Sequence, residues 1–142
     1  MPIKLEIVTP ERLVFDETVD GVTLPGSEGE LGVLPNHAPL VSTLGVGELR
    51  IRSGGSEDWF AIVGGFVQVL PDKVVVMAET ADLSSEIDLE KAQAARRDAE
   101  QALESGYNEG VDLSAARAAL QTALLRERVA QRRHREGSRH RG

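Results

Sequence analysis

The stretch GELRIRSGGSEDWFAIVGGFVQVLPDKVVVMAE, residues 47–79, contains the pattern that decides the fold class. Short runs of β-branched or alternating apolar residues follow one another, separated by the turn signals Ser53-Gly54-Gly55, Gly64-Gly65 and Pro71-Asp72. Runs of this kind at close spacing are typical of antiparallel strands in a sandwich or barrel. Leu49 and Ile51 alternate with charged residues, which predicts a strand with one buried face. The run from Val74 to Met77 is apolar on both faces, which predicts a central strand or one beneath a partner.

The second part of the chain has a different composition. After residue 84 it is rich in Ala, Glu, Arg and Leu. Asp88 is a candidate N-cap for a helix over residues 89–105, and Gly106 and Gly110 are predicted to end it. A narrow apolar stripe recurs at helical spacing, made of Leu89, Ala92, Ala95 or Arg96, Ala99 and Leu103. Asp112 is expected to cap a second helix over residues 113–133, whose stripe is Leu113, Ala116, Leu120 and Ala123 or Leu124.

The two predicted helices form an antiparallel hairpin with a seam made mostly of alanine. Alanine contacts bury little apolar area, so packing across the seam contributes little at ~25 cal/mol per Å². Each helix is a good helix former by intrinsic propensity. We therefore expect the hairpin to open without melting its helices.

Composition places the chain among soluble globular proteins, with 41% hydrophobic and 27% charged residues in 142. It has no cysteine, no apolar run near the ~20 residues that cross a bilayer, and no signal-peptide pattern, so the default expectation is the cytoplasm. Residues 1–125 contain 9 Lys/Arg and 21 Asp/Glu, a net charge of −12, whereas residues 126–142 contain 7 Arg and 2 Glu, a net of +5. An acidic body repels phosphates and the basic tail has no aromatic residue, which argues against nucleic acid.

The loop GSEGELGVLPNHAPL, residues 26–40, is either a small active site or a docking surface. It matches neither a phosphate-binding GxxxxGK[ST] loop nor a GxGxxG turn, and its carboxylates would repel phosphate. Glu28 and Glu30, spaced i, i+2 on an extended segment, would share one face. His37 lies far in sequence from the other histidines, so neither a metal site nor a catalytic constellation is predicted. For His37 we expect a hydrogen bond that anchors the loop.

These segments carry a family resemblance. GSEGELGVLPNHAPL, then GVGELRIR, GGFVQVLPDKVVVMAETA and the helix start IDLEKA closely resemble, in this order, the epsilon subunits of bacterial F-type ATP synthases. The resemblance implies an α+β, mainly β fold, with a ten-stranded β-sandwich over residues 1–84. It also implies a regulatory α-helical hairpin over residues 85–136, and residues 137–142 are expected to be a disordered basic tail.

By this resemblance the chain would be a non-catalytic rotor subunit of the central stalk, coupling proton-driven c-ring rotation to ATP synthesis. Its sandwich would pack on the gamma subunit and the c-ring, peripheral to the cell membrane on the cytoplasmic side. Glu28 and Glu30 would dock on the c-ring, and Glu30 is the stronger candidate. His37 and Ser42 would contact gamma.

The same resemblance implies that the hairpin switches between a compact and an extended state. The extended state would insert among the alpha and beta subunits and inhibit ATP hydrolysis. The inhibitory contact with the beta subunit would come from a set of basic residues, Arg126, Arg128, Arg132 and Arg133.

Some relatives bind ATP on the hairpin through a motif of the form I/L-D-x-x-R-A. The corresponding residues here are Asp88 and Lys91, followed by Arg126 on the second helix. Lys91 replaces an arginine, while Asp98 and Thr122 stand where cations are wanted. We therefore expect no resident cofactor, weak or absent ATP binding as a regulatory ligand, and a plain capping role for Asp88.

Other readings of the residues stay open at this point. One alternative is a small ligand-binding β-domain in which the His37 loop lines a pocket. Another is an adaptor with a basic tail that binds acidic lipids. An enzyme is disfavoured, because three scattered histidines and the absence of cysteine offer no converging catalytic groups.

Overall fold

The computed structural model describes residues 2–110 and 112–140, without the side chains of residues 108 and 133–140. Its first unit, which ends at Leu83, consists of eight strands joined by short loops. The strands are β1 (Ile3–Val8), β2 (Leu13–Val19), β3 (Gly21–Gly26), β4 (Gly29–Val33), β5 (Leu40–Thr43), β6 (Val46–Ser53), β7 (Ser56–Val69) and β8 (Lys73–Leu83). The strands pair in the order β2-β1-β8-β7-β6-β3-β4, and β5 pairs with β7 beside that path.

The prediction of ten strands is wrong in its count, since the described chain has eight. The reason lies in β7, which is unusually long and pairs with β6 as far as Val63 and with β5 from Phe66 onwards. Its pairing with β8 keeps one register past the bend, with Val63 opposite Thr80 and Gly65 opposite Ala78. Strands β7 and β8 therefore each pass through the bend unbroken. If each were divided at the bend, the count would be ten strands.

The bend itself depends on glycine. Gly64 and Gly65 have φ values of 65° and 111°, which L-residues rarely adopt. At Gly65 an added Cβ would also collide with the carbonyl oxygen of Met77 on the neighbouring strand. The Gly64-Gly65 signal, predicted to separate two strands, thus marks a sharp bend within one.

The core is a single apolar cluster between the layers of the sandwich. Leu49 and Ile51 are buried, so the predicted one-sided strand is confirmed. Val74 and Val76 are buried on β8, which lies between β1 and β7, so the predicted central strand is confirmed as well. The rings of Phe15 on β2 and Phe60 on β7 meet edge to face with centroids 5.8 Å apart.

The second unit, from Ser84 onwards, begins with a 3-10 turn at Ser84–Glu86 and continues as helices α1 (Leu89–Glu109) and α2 (Ser114–His140). Asp88 is the N-cap of α1, and its side chain accepts the backbone N–H of Lys91 at 3.2 Å. Gly110, with φ 69°, is the C-cap. Gly106 lies within the helix and is buried, so the prediction that it ends α1 is wrong.

At the start of α2, Asp112 accepts hydrogen bonds from the backbone N–H of Ser114 at 2.9 Å and from its hydroxyl at 2.7 Å. These two bonds lower the pKa of Asp112 below its ordinary value. The helix continues past the predicted end at residue 133, as far as His140. Residues 137–140, which the sequence predicts to be disordered, continue this helix, whereas residues 141 and 142 lie outside the described part. No helix of the described residues combines the length and hydropathy that crossing a bilayer requires.

Candidate functional site

The predicted docking loop is a tight hairpin at the edge of the sheet. Strands β3 and β4 close at Gly26 opposite Gly29, so Ser27 and Glu28 form the turn. Glu30 follows on β4, the last strand of the sheet order, opposite Pro25. Both carboxylates are exposed. Glu28 sits at the tip rather than on the strand, so the prediction that the two glutamates share one strand face is corrected.

Backbone hydrogen bonds hold this hairpin against the segment from Thr43 to Gly45, which joins β5 to β6. The N–H of Ser27 donates to the carbonyl of Thr43 at 3.1 Å, and the N–H of Gly45 donates to the carbonyl of Pro25 at 2.9 Å. An acidic edge that is exposed yet held by two backbone hydrogen bonds is suited to binding a basic or amide-rich surface with little ordering cost.

His37 and Ser42 are only half-buried, and local hydrogen bonds hold both. His37 Nδ1 lies 2.8 Å from the carbonyl oxygen of Ala38, the next residue, so this bond stays within the loop and the predicted anchoring role of His37 stays a prediction. The hydroxyl of Ser42 donates to the carbonyl of Thr43 at 3.2 Å. The N–H of Asn36 donates to the carbonyl of Pro71 at 2.9 Å, which ties the His37 loop to the β7–β8 turn.

The structure therefore separates the two predicted contact regions by the length of β5. The hairpin of β3 and β4 that carries Glu28 and Glu30, called the acidic hairpin below, lies at the Thr43 end of this strand. The His37 loop lies at its Leu40 end. Three residue steps at about 3.3 Å each put about 10 Å between Leu40 and Thr43. Ser42 belongs with the acidic hairpin.

In the helical unit, a cleft of about 590 Å³ lies between α1 and α2. It brings together the predicted nucleotide-motif residues Asp88, Lys91 and Arg126, and alanines line most of the remainder. Glu86 adds a second carboxylate, so two acidic side chains oppose two basic ones. A polyphosphate requires an excess of positive charge, and this lining has none.

The predicted arginine set does not lie on one face of α2. Arg126 lines the cleft, whereas Arg128 and Arg132 are one turn apart on a different face, two and six residues further along the helix. The side chain of Arg133 lies outside the described residues.

Two features of the helices escape the sequence pattern. Of Ala95 and Arg96, the arginine lies in the seam, where its Nε donates to Glu127 of α2 at 2.8 Å. Leu125 and Val129 are completely buried although they lie off the predicted stripe. Their i, i+4 apolar spacing is the signal that identifies a second buried face of α2.

Among residues 2–110 and 112–140, no cluster of three or more His, Cys, Asp or Glu side chains is placed to hold a metal ion. The arrangement offers surfaces for contact with other molecules, namely an acidic sheet edge and a helical hairpin.

Both units resemble the same protein family. The family model described as "ATP synthase, Delta/Epsilon chain, beta-sandwich domain" matches residues 2–84, and that for the "long alpha-helix domain" matches residues 85–131. The ATP synthase epsilon chain of Desulforamulus reducens is 47% identical over 128 residues, covering 90% of this chain and 96% of its own. That of Syntrophobacter fumaroxidans is 49% identical over 130 residues, covering 92% and 96%.

A solved structure supports the same assignment. A chain of the OSCP/F1/c-ring assembly of the Euglena gracilis mitochondrial ATP synthase matches with a TM-score of 0.72 and 29% identity, over 92% of this chain and 79% of that one. Because sequence and fold agree over both units in order, the chain belongs to the family of ATP synthase delta and epsilon chains.

Proposed function

We propose that this chain, an epsilon-type subunit of an F-type ATP synthase, transmits torque in the central stalk and restrains ATP hydrolysis. It is a non-catalytic subunit. In this proposal the β-sandwich couples the proton-driven c-ring to gamma, and the hairpin inhibits through the alpha and beta subunits. The complex holds the chain at the cytoplasmic side of the cell membrane as a peripheral protein.

The single observation that carries the proposal is the division of the chain into two compact units at Leu83 and Ser84. One unit has a continuous apolar core and eight hydrogen-bonded strands in the described chain, so it resists shear. The other has a seam of small side chains that include Ala92, Ala99 and Ala123. A stiff body and a weakly closed hairpin suit torque transmission and switching, respectively.

For the c-ring contact we propose the acidic hairpin, with Glu30 as the principal side chain and Glu28 beside it. The exposed carboxylates would accept hydrogen bonds from basic or amide groups of the ring's polar loops. For gamma we propose His37 and Ser42. His37 and the acidic hairpin lie at opposite ends of β5, whereas Ser42 lies at the hairpin end, so the proposed gamma contact would extend along the strand.

For the inhibitory contact we propose Arg128 and Arg132, which share a face of α2 and would meet acidic groups of the beta subunit. Arg126 lines the cleft instead. Arg133 is kept among the proposed inhibitory residues on the basis of the sequence alone. Nucleotide binding in the cleft is expected to be weak, because Asp88 is already engaged as an N-cap and the lining carries balanced charge.

The docking proposal is tested by Glu30→Lys in a pull-down with gamma and the c-ring. Glu17→Lys is the matched control, because Glu17 is also exposed but lies on β2 at the other end of the sheet order. We expect Glu30→Lys to lower c-ring retention and coupled ATP synthesis while its thermal unfolding matches the control. Equal losses in both variants would contradict the assignment of the edge.

The inhibitory proposal is tested by deleting residues 84–142 and reconstituting the enzyme. ATP hydrolysis is expected to rise relative to the enzyme with the full chain, while gamma is retained. A rate that does not change would remove the inhibitory role and leave the coupling role untouched.

A further inference from the structure

The seam between α1 and α2 has the same pattern on both helices. On α1, Arg96 lies between the buried alanines Ala92 and Ala99, four residues after one and three before the other. On α2, Glu127 lies at the same spacing between Ala123 and Ala130, which are also buried. Each helix thus presents one charged side chain within a run of small apolar ones, and the two charges meet.

The contact is a short, directed ion pair. Arg96 Nε donates to Glu127 Oε2 at 2.8 Å, and Arg96 Nη1 donates to Glu100 Oε1 on its own helix at 3.2 Å. The side chains of Arg96 and Glu127 are 28% and 17% exposed, compared with 53% and 40% for the looser pair of Lys4 and Asp16 at 3.8 Å. Solvent therefore screens the inter-helix pair less than an ordinary surface pair.

A charged pair in an apolar seam has two physical effects. It disfavours other registers of the two helices, because sliding one of them would bury an unpaired charge against alanine. It also opposes separation, since opening the hairpin breaks the pair while the alanines lose little burial. The pair therefore contributes to what distinguishes the closed hairpin from the open one.

We propose that Arg96 and Glu127 form a latch that fixes the register of the hairpin and sets how readily it opens. This inference rests on the proposed function, in which the hairpin opens in order to inhibit. The latch belongs to the chain itself and needs no ligand, so the switch responds to ionic strength even when the cleft is empty.

The test measures opening on the full chain. Because the chain contains no cysteine, Gln101→Cys and Gln121→Cys, both at exposed positions on facing helices, carry a unique pair of spin labels. The measured quantity is the temperature at which half of the molecules lose the short distance between the labels. Far-ultraviolet circular dichroism on the same samples reports whether the helices themselves remain.

Glu127→Gln and Arg96→Gln are expected to lower this temperature, with helix content unchanged. At the parent chain's midpoint they should raise the ratio of open to closed molecules by about three- to tenfold. The double variant is expected to open no more readily than either single variant, because the pair is lost only once. Raised salt is expected to open the parent chain more than the double variant. Arg97→Gln, an exposed neighbour on α1, is the matched control and should change nothing.

Additive effects of the two single changes, or an unchanged midpoint with intact helices, would overturn the latch. A variant that loses its helix content at the same temperature as the short distance between the labels would also count against it, since the proposal requires opening without melting. The spin-label measurement does not involve the enzyme complex. A negative result would therefore contradict the latch alone, whereas an unchanged rate of ATP hydrolysis after deletion of residues 84–142 would contradict the inhibitory function.

Discussion

Ser27 Oγ and Thr43 Oγ1 lie 2.6 Å apart, a hydrogen bond that joins the turn of the acidic hairpin to strand β5. Together with the backbone bond between the same residues, it holds the backbone of the turn that carries Glu28 and precedes Glu30. The hairpin tip is exposed, so its order comes from this link rather than from burial.

Removing the link should affect docking more than folding. For Ser27→Ala we expect a loss of about 1 kcal/mol or less in the free energy of unfolding, because an exposed hydroxyl bond contributes little net stability. Affinity for the c-ring should fall about three- to tenfold, since binding must then order the turn. Binding measured beside Ser56→Ala, which removes a comparable bond in the β6–β7 turn, checks this expectation. Equal affinities of the two variants would contradict it.

The bend in β7 should be intolerant of any side chain. For Gly65→Ala we expect a loss of about 3 kcal/mol or more in stability, because positive φ and a collision with the Met77 carbonyl act together. Gly54→Ala is the control, since Gly54 has a φ of 58° but an added Cβ there meets nothing within 4 Å. Its loss should be only about 1 kcal/mol. Urea unfolding of both variants measures the difference, and similar losses would show that the collision relaxes.

Stability should depend on pH through the ion pair of β1 and β8. Lys73 Nζ lies 2.8 Å from Glu6 Oε2, and its hydrogen bond lowers the pKa of Glu6 below the ordinary 4.5. The same bond raises the pKa of Lys73 above 10.5. The stabilisation is therefore complete between these ordinary values. It is lost as pH falls through the folded-state pKa of Glu6 or rises through that of Lys73.

Glu6→Gln removes this dependence. We expect the variant to be less stable than the parent chain at neutral pH and to lose less of its stability on acidification. Urea midpoints measured across the acid range check this, with the exposed Glu17→Gln as the control for removing one negative charge. If the urea midpoints of the parent chain and of Glu6→Gln fall equally on acidification, the pair of Glu6 and Lys73 is not the source of the pH dependence.

Nucleotide affinity should be limited by the cation content of the cleft. We expect ATP to bind the parent chain weakly or not at all, and Lys91→Arg to bind it about three- to tenfold more tightly, because a guanidinium holds phosphate in two parallel bonds. Thr122→Arg should add to the effect. Calorimetric titration of the full chain measures both variants, with Arg97→Lys, outside the cleft, as the control. Tight binding by the parent chain would refute the charge argument.

The β-unit should fold without the helices. Deleting residues 84–142 keeps the whole described apolar core of the sandwich, so we expect a single cooperative unfolding transition and retained binding to gamma. Circular dichroism and a pull-down measure these two properties. An unfolded product would show that the helices are needed for the core.

Much of the local structure of this protein can be predicted from its sequence alone. Period-two alternation predicts the buried face of Leu49 and Ile51, and the run of β-branched residues predicts the central position of β8. The short polar side chain of Asp88, placed before a helical pattern, predicts the cap at α1. Each of these depends on residues within a few positions of one another, so a pattern can reveal it.

Tertiary structure decided the rest. Whether the Gly64-Gly65 pair ends a strand or bends it depends on the partner register of β8, which no local pattern contains. Whether Ala95 or Arg96 faces the seam depends on Glu127, thirty-one residues away along the chain. The sequence by itself determined which segments are strands and helices, because hydrophobic period and caps act locally. Only the fold decided which charges meet and which edge stays exposed, because those distances are set by packing across the chain.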